Sequence, residues 1–140
     1  MSAEIELSRY AIPYTPFRSR LTEASVCLVT TAGVRTRRDV PFDAAGDLSY
    51  RTIPGDATAA DLIYDDEHYD HACVDRDINC VFPIDRIREI ARGGRIGGVA
   101  SAHFSMGFSQ ALAAVRSTTI PPLVKDVERV RPDVVLLTGG

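Results

Sequence analysis

The run SVCLVTTAG, Ser25 to Gly33, constrains the fold more than any other stretch. Val26, Cys27, Leu28 and Val29 are consecutive and apolar, so a strand made from them buries both of its faces, and Gly33 closes it. Such a strand needs helices above and below it. PIDRIREIARGG supplies the clearest one: Pro83 sits at its start, Ile84, Ile87 and Ala91 share a face, and Gly93-Gly94 ends it. A second helical stretch is expected over about 109–115 and a third over about 122–131, where Val124, Val127 and Val130 recur at three-residue spacing. INCVFP and PDVVLLTGG read as further buried strands, LSYRTIPG as an edge strand stopped by Pro54-Gly55, and RIGGVASAHFSMGF as a Gly-rich strand and loop. Strands alternating with helices predict an α/β fold: a single three-layer domain over 23–140 with a mostly parallel sheet. An irregular arm over 1–22 precedes it, because Pro13 and Pro16 block a regular helix. The last strand runs straight into Thr138-Gly139-Gly140, so the sheet reads as half of a larger one that another chain completes.

Composition excludes some classes. A net charge of −3 and a pI near 5.6 argue against nucleic acid or an anionic membrane as a partner held by bulk charge. No apolar run approaches the roughly 18 residues of a membrane span, and the N-terminus lacks the pattern of a secretion signal. Three cysteines at irregular spacing do not make a disulfide framework. A cytoplasmic, reduced protein is the expectation.

The chemistry concentrates in DDEHYDHACVDRDINC, Asp65 to Cys80. Asp66 to His71 has the spacing of an H-x-H-x-D-H metal motif with Asp66 in the first histidine's place. Neutral imidazoles and a carboxylate turned to one point suit zinc or iron(II), so Asp66, His68, Asp70 and His71 are the candidate ligands of a transition metal. His103, between apolar residues in SAHFS, is either a further site residue or a structural histidine. The competing reading of the segment is a solvated loop of weak ion pairs. Arg35, Arg37 and Arg38, just past the first strand, form a cationic loop able to hold a carboxylate or phosphate by paired contacts; a solvated loop is the alternative. ARGGRIGGVAS is not a G-x-G-x-x-G fingerprint, so no nucleotide cofactor is expected; Gly93-Gly94 is explained by helix termination and Gly97-Gly98 by close backbone approach. Cys27 and Cys80 read as core residues. Cys73 and Cys80, seven apart, make neither a C-x-x-C redox pair nor a zinc knuckle.

Taken in order, VCLVTTAGVRTRRDVPFD, DLSYRTIP, HYDHACVDRDINCVFPIDRIREIARGGRIGGVASAHFSMGF and DVVLLT resemble one family. It is the B-type selenoprotein subunits of glycine, sarcosine and betaine reductase, and of D-proline reductase. The resemblance runs from about Ile12 to Thr138 and covers the family's N-terminal half. It implies reductive cleavage of a C–N bond in a small amino-acid-like substrate, by a selenocysteine or cysteine lying just after the strand that matches PDVVLLT. None of Cys27, Cys73 or Cys80 matches that position. The family's full H-x-H-x-D-H is also broken here by Asp66. Three origins account for a chain ending at Gly140: a selenocysteine codon read as stop, one half of a split enzyme, or a short paralogue. On this reading His68, Asp70, His71 and His103 bind a metal or move protons, and Arg35, Arg37 and Arg38 hold the substrate carboxylate. The thiol or selenol comes from a partner subunit, or a homo-oligomer covers the last strand. A stand-alone metal enzyme and a non-catalytic structural subunit are the alternatives.

Overall fold

The structure is a computed structural model that describes residues 15–65, 68 and 70–139. Most of the expected arm, residues 1–14, lies outside the described residues, as do Asp66, Glu67, Tyr69 and Gly140.

Strand β1 (Ser25–Thr30) is the spine of the fold, as its composition demands. It is buried along nearly its whole length and bonded on both edges. β2 (Val34–Thr36) and β4 (Leu62–Tyr64) form a separate antiparallel pair. On one side of β1 run β5 (Gly98–Val99) and then β6 (Ala102–Met106), both parallel to it, and β3 (Tyr50–Pro54) closes that edge antiparallel to β6. On the other side β7 (Val134–Thr138) pairs parallel with β1 over five residues, Val26 with Val134 through Thr30 with Thr138. The sheet is therefore mostly parallel, as expected.

The two faces of β1 divide the core. Val26 and Leu28 join Ile53, Phe82 and helix α1 (Ile84–Arg92), whose Ile84 and Ile87 are buried. Cys27 and Val29 join Phe104, Met106 and Leu123, the last from helix α3 (Ile120–Val130). A helix on each face makes the third layer. Gly94, at φ +70°, turns the chain after α1 where a side chain would be strained. Gly97 lies so close to the Glu23 backbone that a Cβ would collide with it.

Four expectations are corrected. INCVFP is not a strand: Ile78–Cys80 is a 3-10 turn, which exposes Cys80 and buries Asn79 in its stead. The two helical segments after residue 109 are one continuous stretch, helix α2 (Leu112–Ala114) passing through a π-helical turn, Val115–Thr119, into α3. Pro121 and Pro122 are tolerated there because they sit in the first turn of α3, where N–H groups take little part in the helix. The VRTRRDV loop opens with β2. Finally, β7 is an edge strand with Val135, Leu136 and Leu137 exposed, not a buried one.

Candidate active site

Parallel sheets bind ligands beyond the carboxyl ends of their strands. Here Thr30 and Thr138 end β1 and β7 side by side, and both hydroxyls donate to one acceptor, the carbonyl of Val81, at 3.2 and 2.6 Å. At its other end the same segment is tied to the rim where Asp65 N–H donates to Gly33 O at 3.1 Å. Asp65 and Val81, the two feet of an arch, are thus both fixed at the carboxyl rim of the sheet. That is the place where an α/β fold carries its chemistry.

The local sequence explains how the arch is held. Asp77 caps the 3-10 turn, its carboxylate accepting from the Asn79 backbone at 3.0 Å and from the Asn79 side chain at 2.7 Å. The Asn79 side-chain oxygen then accepts from Asp85 N–H at 3.0 Å, coupling the turn to the start of α1. DINCVFPID is therefore one structural device: Asp77 and Asn79 fix the turn, and Val81 and Phe82 plug the core. At the other end Asp65 is gripped by Arg35, through Nε and through Nη2 at 2.9 Å, and accepts from Phe42 N–H at 2.9 Å. Burial opposes ionisation of Asp65, but the Arg35 and Phe42 hydrogen bonds and the Arg35 charge outweigh it and hold its pKa below the ordinary carboxylate value.

Within the arch, the His68 ring stacks on Phe108, which follows β6, with centroids 3.5 Å apart and planes 11° from parallel. The His71 ring stands edge-on to Tyr64 at 5.1 Å. The Tyr64 hydroxyl donates to Asp75, and that hydrogen bond, with burial and the Asp75 charge, pushes the phenol up to about 12. Asp70 accepts from Ala72 N–H at 3.0 Å. Beside these groups is a cavity of about 520 Å³ bounded by Leu62, Tyr64, Val74, Asp75 and Asp77. Among the described residues no group of three or more His, Cys, Asp or Glu side chains converges as metal ligands would. Asp66 lies outside the described residues.

Two sequence candidates stand apart. His103 is wholly buried in β6; its Nδ1 accepts from Leu28 N–H at 3.0 Å, filling the gap in the ladder between β5 and β6. Burial, aided by the Arg88 charge, lowers its pKa to about 4, so at neutral pH the ring carries its one proton on Nε2. Arg35 is also buried, with its guanidinium committed to Asp65 and to the carbonyls of Thr36 and Asp39, both at 3.2 Å. Arg37 reaches the Ala60 carbonyl at 3.3 Å, and Arg38 is exposed. The loop of three arginines is thus not one cluster. What sequence reasoning missed is the aromatic pair Tyr64 and Phe108, the anchor Asp65, and the threonines. The last had a signal: two apolar strands, CLVT and VLLT, each end in Thr at the rim.

The chain is 38% identical over 128 residues, 91% of its length, to the gamma subunit of D-proline reductase from Acetoanaerobium sticklandii. The two are related. The match covers 53% of the relative, so the chain spans about half the length of the curated protein it matches. No family model and no solved structure matches the chain. Among the described residues no helix is long and apolar enough to cross a membrane.

Proposed function

We propose that the chain is part of a reductase resembling D-proline reductase, and that it contributes the rim of a site where a C–N bond in a small cyclic or amino-acid-like substrate is opened. The relationship to the gamma subunit carries this reading, and it is supported by the tie of Val81, downstream of His68, Asp70 and His71, to the carboxyl ends of β1 and β7. Reductive opening of such a bond needs two electrons and two protons. His68 and His71 are the proton-handling groups of the rim, each with its ring oriented by an aromatic neighbour. Cys27 is unsuited to supply the electrons: it is buried, and burial pushes its thiol up to about 11. Cys73 and Cys80 do not stand where the resemblance puts the family's nucleophile, so in this reading the thiol or selenol comes from a partner subunit, which approaches along the exposed edge of β7.

The test is reconstitution with the partner subunits of a D-proline-type reductase, a dithiol reductant and D-proline, with the linear amino acid formed by ring opening as the readout. Ring opening is expected, and His71→Ala and His68→Ala should each lower it at least tenfold while leaving the fold intact. No product with any cyclic or N-substituted amino acid would overturn the reductase reading. Wild-type rates in both histidine variants would overturn the rim as its site.

A further inference from the structure

Cys73 and Cys80 are seven residues apart, and nothing in that spacing suggests that they meet. The fold brings them together. Asp75 N–H donates to His71 O at 2.9 Å, and Arg76 and Asp77 N–H both donate to Cys73 O, at 3.1 and 3.0 Å. Cys80 N–H then donates to Asp77 O at 3.1 Å. These stacked turns double the chain back until Cys80 Sγ lies 3.8 Å from the carbonyl oxygen of Cys73. A carbonyl oxygen is roughly 2.4 Å from its own Cα by standard bond lengths, so the Cys80 sulfur is within side-chain reach of Cys73. Both residues are exposed and both are free thiols. Cys27, buried on the far face of β1 among Phe104 and Leu123, cannot compete for either.

We propose that Cys73 and Cys80 form a reversible dithiol–disulfide pair on the rim of the sheet, oxidised by a small-molecule disulfide of the glutathione type. One thiolate attacks the small disulfide, making a mixed disulfide and releasing one small thiol. The second cysteine, as thiolate, then displaces the other small thiol. Two cysteine thiols and one small disulfide thus become one protein disulfide and two small thiols, with two electrons passing from protein to reagent and the cysteine protons ending on the released thiols. The bond closes the loop that begins two residues after His71 and ends one residue before Val81, so it fixes the stem of the arch. The pair stands apart from the reductase reading, because it is read on the isolated chain without substrate.

The experiment equilibrates the isolated protein in mixtures of reduced and oxidised glutathione, quenches with acid, and digests with trypsin. Cleavage after Arg76 separates the two cysteines, so only a Cys73–Cys80 disulfide joins the peptide ending at Arg76 to the one beginning at Asp77. The expected product is that joined pair in a monomer two mass units lighter, with an equilibrium constant at least tenfold larger for the folded chain than for the chain in urea. Cys73→Ser and Cys80→Ser should each instead retain one bound glutathione. Glutathione on both cysteines of the wild type, a disulfide only between chains, or equal constants folded and unfolded would overturn the pairing.

Discussion

β1 and β7 are neighbours in register, written in almost the same letters: VCLVT against VVLLT. Leu28 in β1 is wholly buried, whereas its partner Leu136 in β7 is 39% exposed and the next residue, Leu137, is 72% exposed. Composition gives both strands the same drive to be covered, and position in the sheet decides which one is. β1 has strands on both edges and a helix on each face. Among the described residues β7 pairs with β1 alone, and its outer surface runs into an apolar groove of about 470 Å³ shared with Val124 and Val127 of α3. An exposed strand of this kind invites pairing with another chain, which is why the edge of β7 is the natural approach for a partner.

The difference can be tested by truncation. Leu28→Ala should destabilise the isolated protein by about 4 kcal/mol, measured by urea unfolding, because it leaves a cavity in the centre of the core. A loss below about 1 kcal/mol would mean that β1 is not the spine. The neighbouring strand β6, which bonds to β1 through His103, should also show in acid. His103 has a folded pKa of about 4 against an ordinary 6.5, so it stays neutral in the fold while the unfolded chain takes up a proton. Stability from this group is fully present above pH 6.5 and is lost as pH falls toward 4, by on the order of 3 kcal/mol. His103→Gln, which keeps an acceptor for Leu28 N–H but does not titrate, should flatten that part of the pH–stability curve; an unchanged slope would refute the assignment.

Smaller effects follow away from β1. Asp65→Ala leaves the Arg35 guanidinium buried without its carboxylate and should cost about 2 kcal/mol, less than for a fully dry pair because Asp65 is partly exposed. A neutral result would show that the arch is not anchored there. Least of all, Leu137→Ala should change the stability of the isolated chain by less than about 0.5 kcal/mol. In the proposed assembly the same change should weaken association, and a large loss in the isolated chain would show that β7 is already covered.

The legible parts of the fold were those fixed by local pattern. The apolar run of β1, the Ile84, Ile87 and Ala91 face of α1, and the Pro54-Gly55 stop of β3 each follow from spacing within a few residues. What was not legible depended on distant contacts. INCVFP has a strand's composition, but Asp77 and Asn79 spend their side chains on a turn, and that shows only once Asp85 is in place. The burial of β7 was misjudged because its letters carry no information about how many neighbours it has. At the rim, the histidines were visible as residues that bring chemistry, while their aromatic partners come from elsewhere, Tyr64 from the end of β4 and Phe108 from just past β6. Arg35 looked like a ligand-binding cation because its partner Asp65 is thirty residues away.

In the proposed reductase the rim and β7 together form the face at which the rest of the enzyme docks. Amide hydrogen exchange, compared between the chain alone and the chain assembled with its partner subunits, tests it most directly. Slower exchange in assembly along Val134–Thr138 and across residues 70–81, with β3 on the opposite edge unchanged, is the predicted result. Protection confined to β3, or none along β7, would contradict it.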